Sequence, residues 1–255
     1  MLRDLHGAVL RGSVPQDTEQ LRELWCRVFG DPPELVDAFL SHLPGMGCGC
    51  VAEHDGRILG AAYLIHGFTL LQPNKAPLRC GYLYAVAVYP EARGLGLGAA
   101  VSRGAVELGR EYGAELICTL PAEESLYRWY GEILSLTHRS TRRVFSCDTL
   151  PEAQPVEASE YLLRREALLR DTPHVRPNAS VMDFAASLCR ACGGGLYTLD
   201  DMLFCAYRIQ GCWVMPELLP LSAADRIAGL RSAVHPYLCA DRPLPDGLIW
   251  NLTLD

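Results

Sequence analysis

Residues 86–98 read Val86-Ala87-Val88-Tyr89-Pro90-Glu91-Ala92-Arg93-Gly94-Leu95-Gly96-Leu97-Gly98, and this stretch decides the fold. It closes the segment Gly81 to Tyr89, GYLYAVAVY, which is almost continuously apolar, as a strand buried on both faces is. Beyond it, Leu97, Val101, Ala105 and Leu108 recur at helical spacing as far as Tyr112-Gly113. The three glycines between let the backbone approach a ligand closely. A helix starting within the turn aims free N–H groups and the positive end of its dipole at the same place. Strand, glycine turn and helix together predict a pyrophosphate cradle.

Several cradles share that logic, and context separates them. A dinucleotide fold places its glycine turn after the first strand with an acidic residue some 20 positions on, whereas here about four elements come first. A P-loop ends in Gly-Lys-Ser/Thr, and this chain offers Gly98-Ala99-Ala100.

Working outward, DTEQLRELWCRVFG from Asp17 predicts an amphipathic helix capped by Asp17 and ending at Gly30. Asp31-Pro32 opens a second helix through Leu35, Phe39 and Leu43, which Pro44-Gly45 stops. Between Cys50 and Leu71, VAE and RILGAAYLIHGFTL read as a hairpin turning at His54-Asp55-Gly56. After the cradle come a strand at Ala114 to Leu120, a short helix from Pro121, and closing strands within ILSLTHRSTRRVFSCD. The proline-bearing stretch Thr149 to Val156 marks a boundary between domains at 1–150 and 151–255. The later half shows helices at Glu160 to Leu169 and Val181 to Cys192, a stop at Gly193-Gly194-Gly195, and strands near 196–198, 202–209 and 212–218.

Arg-x-x-Gly-x-Gly after a Val-Ala-Val-Tyr-Pro strand end strongly resembles the acyl-CoA-binding motif of the GCN5-related N-acetyltransferase (GNAT) superfamily. The likeness covers roughly residues 8 to 148. It implies an α/β (α+β) fold with a mixed central sheet flanked by helices. The second, smaller α/β domain reads as a degenerate GNAT-like duplication without a cofactor motif. The resemblance further implies that backbone groups of Val86, Ala87 and Val88 pair with the pantetheine arm of acetyl-CoA at a parting of strands beside Val88. The amides of Arg93, Gly94, Leu95, Gly96, Leu97, Gly98 and Ala99 would then wrap the pyrophosphate.

A second segment, Leu120-Pro121-Ala122-Glu123-Glu124-Ser125-Leu126-Tyr127-Arg128-Trp129-Tyr130-Gly131, is similar to the Leu-Tyr-x-x-x-Gly helix of that superfamily. Its Leu-Pro-Ala-Glu opening is nearest the enhanced intracellular survival branch, whose members acetylate aminoglycosides and other amines. The resemblance makes Tyr127 the acid that protonates the departing thiolate of coenzyme A. The chemistry suits a phenol, whose pKa near 10 lets it donate to a thiolate; the alternative is that Tyr127 packs with the apolar stripe of Leu126, Trp129 and Tyr130. Many relatives carry a glutamate base on the strand before the glycine turn, and CGYLYAVAVY has no acidic residue. In the same branch a C-terminal carboxylate enters the active site, which makes Asp255 a second catalytic candidate. Glu123 and Glu124 are alternative bases, or complement the dipole of their own helix.

The composition bounds the partners. Of 255 residues 49% are hydrophobic, so a substantial core is expected. A net charge of -7, without any Lys/Arg-rich block, argues against nucleic acid. No stretch of about 20 apolar residues suggests a membrane span, and the expected location is the cytoplasm. Eleven cysteines are expected to be mostly buried thiols, and Cys48/Cys50 and Cys189/Cys192 lack a second ligand pair for zinc. No metal is expected.

The resemblance implies an N-acetyltransferase that moves acetyl from acetyl-CoA directly to a primary amine of a small molecule or peptide. Aminoglycosides, polyamines, lysine side chains and peptide amino termini all stay open as acceptors, and so does a homo-oligomer. The competing reading is a catalytically silent acyl-CoA sensor or assembly module; a thiol-based or zinc protein is a third.

Overall fold

A computed structural model describes residues 7–250 of the chain, so Asp255 lies outside the described residues. The chain divides into two compact units that are not consecutive in sequence. One comprises residues 1–68, 78–138 and 238–243, and the other residues 69–77, 139–237 and 244–255.

The first unit opens with strand β1 (Val9–Gly12), then helices α1 (Thr18–Phe29) and α2 (Pro33–Met46). Strands β2 (Gly47–His54), β3 (Arg57–Leu71) and β4 (Leu78–Val88) follow, then α3 (Leu97–Glu111), β5 (Leu116–Thr119) and α4 (Glu124–Leu134). The strands stand in the order β1-β2-β3-β4-β5. The ladders β1–β2 and β2–β3 are antiparallel, and β4–β5 is parallel, with α3 as its crossover. The predicted hairpin turns at Asp55 (φ 49°) and Gly56 (φ 78°), both left-handed as a tight two-residue turn requires.

The helices bury an aromatic cluster against the sheet. Trp25 of α1 meets Phe39 of α2 at 4.9 Å and Tyr63 of β3 at 5.7 Å between ring centroids. Tyr84 of β4 packs 5.4 Å from Phe39. Tilted and edge-on pairs of this kind each add about 1 kcal/mol beyond the apolar area they bury. Helix α3 lies so close to β3 that a Cβ at Gly109 would stand 1.6 Å from Leu64 Cδ2.

The second unit contains β6 (His138–Cys147), β7 (Gln154–Pro155), α5 (Ala158–Leu168), β8 (His174–Pro177) and α6 (Ala179–Ala191). Then come β9 (Gly195–Leu199), β10 (Met202–Ile209), β11 (Cys212–Leu219) and β12 (Arg231–Ala240). The antiparallel ladder runs β6-β11-β10-β9-β7. Alternation along β10 separates two cores: Leu203 and Cys205 join Tyr161 of α5 and Met182 of α6, while Met202, Phe204 and Ala206 join Phe145 and Met215. Asn178 caps α6 by accepting from the Val181 amide at 2.9 Å.

Several local expectations need correction. The second helix passes through Pro44 and Gly45 and ends at Met46, because a proline in the last turn removes only one backbone donor. Asp17 precedes α1 without capping it; its carboxylate instead takes Arg11 Nη1 and Nη2 at 2.6 and 2.8 Å and the Val14 amide at 2.9 Å. Helix α4 begins at Glu124, after Pro121. Strand β12 had no counterpart in the sequence reading, since His235-Pro236 interrupts its apolar alternation. Its last residues belong to the first unit, where Cys239 pairs antiparallel with Thr119 and Ala240 with Cys118 of β5.

Candidate active site

The predicted cradle is held by two left-handed glycines. Gly94 (φ 82°) turns the chain out of the strand end, and Gly96 (φ 78°) is the N-cap of α3. A Cβ at either position would meet nothing within 4 Å, so backbone conformation and not space selects glycine there. Ala100 is the first residue of α3 to bond back, to the Gly96 carbonyl at 3.1 Å. The amides of Leu97, Gly98 and Ala99 lack a carbonyl four residues back, as first-turn groups do. The Arg93 amide, by contrast, already closes on the Pro90 carbonyl at 3.3 Å.

The slot beside the cradle begins where β4 leaves β5. Their register runs from Cys80↔Leu116 to Leu83↔Thr119 and stops. Two residues on, Ala85 adopts φ 47°, a left-handed conformation rare for a residue with a side chain, which bends β4. The parting therefore starts at Leu83, several residues before Val88.

Together these features enclose a cleft of about 730 Å³. Val86 and Val88 form one wall, Arg93, Gly94, Gly96, Leu97, Gly98 and Ala99 the mouth, and Leu126, Trp129 and Tyr130 of α4 the opposite wall. Ala87 is buried and faces away from the cleft, and Leu95 lies outside its lining. Arg93 Nε donates to the Val88 carbonyl at 3.4 Å, bracing the mouth against the strand.

Sequence reasoning passed over Val28 of α1, Ser125, Leu126, Trp129 and Tyr130 as lining residues. Trp129 and Tyr130 had been assigned to the apolar stripe of their helix. Tyr130 is 93% buried, and burial pushes its phenol up to about 12, so it is neutral at physiological pH. Tyr127 is similarly buried and is not among the residues lining this cleft. Glu123 and Glu124 are exposed at the start of α4, where Glu123 accepts from the Ser125 hydroxyl.

His66 and Tyr82, two further ring-bearing residues, are not among the residues lining the cleft. His66 stacks on Tyr112 at 4.9 Å between centroids, and burial lowers its pKa. Tyr82 is buried among aromatic rings. All eleven cysteines are free, most of them buried; Cys192 and Cys212 are exposed. Among the described residues no group of three or more His, Cys, Asp and Glu comes together to hold a metal ion, and no helix is long and apolar enough to cross a membrane.

The site is thus an apolar slot between parting strands that leads to a glycine turn and a helix N-terminus. Residues 10–132 match the family model of the acetyltransferase (GNAT) domain. The segment 10–132, just under half of the chain, is similar to the GNAT acetyltransferase domain, a match that supports an acetyl-CoA-dependent acyltransferase.

Solved structures agree in fold. A GCN5-related N-acetyltransferase from Kribbella flavida superposes with a TM-score of 0.63 at 15% identity, covering 92% of this chain and 72% of that one. Eis1 from Mycobacterium abscessus gives 0.63 at 10% identity, over 91% and 72% of the two chains. A putative acetyltransferase from Pyrococcus horikoshii gives 0.57 at 16%, over 90% and 80%. At such identities the likeness is one of fold. Among curated proteins none matches the sequence.

Proposed function

We propose that the protein transfers acetyl from acetyl-CoA directly to a primary amine of a small molecule or peptide. The observation that carries this reading is the single cleft in which Val86 and Val88, the turn at Gly94 and Gly96, and the N-terminus of α3 converge. Its dimensions and its split into an apolar slot and a mouth rich in backbone donors suit a pantetheine arm and a pyrophosphate, respectively.

In the proposed reaction the amine lone pair attacks the thioester carbon and the C–S bond breaks. The leaving thiolate takes the phenolic proton of Tyr127, and the new amide nitrogen releases its extra proton to solvent. No covalent enzyme intermediate is needed. Residues 1–150 would hold these parts, and residues 151–255 no second cradle.

Calorimetric titration with acetyl-CoA tests the reading. Wild type binds, and Gly96→Glu, which puts bulk and negative charge into the cradle, does not. Absence of binding by the wild type would overturn it. The lack of any carboxylate on β4 favours a second reading, a silent acyl-CoA-binding module. That reading requires acetyl-CoA binding without release of free coenzyme A in the presence of amines.

A further inference from the structure

Two aromatic side chains line the cleft, and they differ in exposure. Tyr130 is buried, whereas Trp129, the residue before it on α4, is half-buried and partly open to solvent. The two rings meet at 4.8 Å between centroids and 67° between planes, an edge-on contact that braces the indole. Trp129 also stands beside the first turn of α3. A Cβ on Gly98 would lie 3.7 Å from Trp129 Cζ2 and 3.7 Å from Val88 Cγ2, so an indole and a valine flank the helix N-terminus.

The shape of an acyl-CoA gives that placement a use. Its pyrophosphate joins two dissimilar parts, a pantetheine arm and an adenosine. With the pyrophosphate on the first-turn amides of Leu97, Gly98 and Ala99, the arm runs inward along the apolar side chains of Val86 and Val88. The adenosine then leaves toward solvent, past the indole that is braced there. A flat π-face at that point suits a purine, and stacking of a base on an aromatic side chain is worth about tenfold in affinity.

We propose that Trp129 is the stacking platform for the adenine of the acyl-CoA and sets the affinity for the nucleotide end of the donor. This rests on the acyl-CoA reading of the cleft. It adds to that reading the residue that separates a coenzyme A thioester from the same acyl group on a bare phosphopantetheine arm.

The test compares three ligands by calorimetry on the full chain. Acetyl-CoA has arm and base, 3′-phosphoadenosine 5′-diphosphate has the base without the arm, and acetyl-4′-phosphopantetheine, measured by competition with acetyl-CoA, has the arm without the base. Trp129→Leu keeps apolar bulk and removes the π-face. It weakens acetyl-CoA and the nucleotide about tenfold each and leaves acetyl-4′-phosphopantetheine within about twofold of wild type. Trp129→Phe keeps a smaller ring and loses about threefold for the same two ligands, so it serves even if Trp129→Leu does not fold.

Unchanged acetyl-CoA affinity in the folded variants would overturn the proposal. So would a comparable loss for the ligand without the base, the mark of a residue that only shapes the slot. Failure of wild type to bind acetyl-CoA would instead overturn the acyl-CoA reading and this proposal with it.

Discussion

Arg165 clasps Glu217 through Nε at 2.9 and 3.1 Å and through Nη2 at 3.0 Å, and neither side chain is exposed at all. Tyr161 donates to the same carboxylate at 3.0 Å, and Arg165 Nη1 donates to the Val175 carbonyl at 2.9 Å. The pair ties α5 to β11 and β8 within the core of the second unit. Removing one partner strands a charge in an apolar interior, so Glu217→Leu or Arg165→Met alone destabilises by about 3–5 kcal/mol. The double variant recovers most of that loss. Urea denaturation of the three variants checks both statements, and an additive double variant would contradict the ion-pair account.

Gly94→Ala forces an alanine into a left-handed turn at φ 82° with open space around it. The expected cost is about 1 kcal/mol of stability, with no steric clash. Because the turn then relaxes toward negative φ, acetyl-CoA affinity falls by more than the melting temperature suggests. Titration and a thermal melt on the same sample measure the two effects.

Tyr127→Phe removes the proposed proton donor and keeps the ring. Turnover with any accepted amine is expected to fall about 10²-fold or more, with acetyl-CoA affinity within about twofold of wild type. Equal turnover would remove Tyr127 from the mechanism. It would turn attention to Tyr130, whose phenol is held protonated beside the slot.

Asp17 links stability to acid pH. The Arg11 guanidinium, opposed in part by burial and helped by the Val14 amide, holds its carboxyl below the ordinary value. A carboxylate whose pKa is depressed on folding stabilises the protein above its unfolded pKa, about 3.9, and that contribution fades as pH falls through the folded value. Asp17→Asn should therefore lose stability at pH 7 and show a flatter decline than wild type below about pH 4. Melting curves between pH 2.5 and 7 would reveal the two slopes.

How much of this was legible in the chain follows from the range of the forces involved. Local patterns carried the helix from Thr18 to Phe29, the hairpin at Asp55-Gly56 and the strand–turn–helix unit around Gly94 and Gly96, because dihedral preference and apolar period act within a few residues. The family likeness was legible for the same reason, being written in one contiguous motif. Tertiary structure alone decided that Ala85 takes a left-handed conformation, that the ladder stops at Leu83 and Thr119, and that Tyr130 lines the cleft. It also decided that a helical arginine, Arg165, is buried on a glutamate from β11. Each of these depends on groups far apart in sequence competing for the same hydrogen bonds and the same space, and such competition has a winner only once the chain has folded.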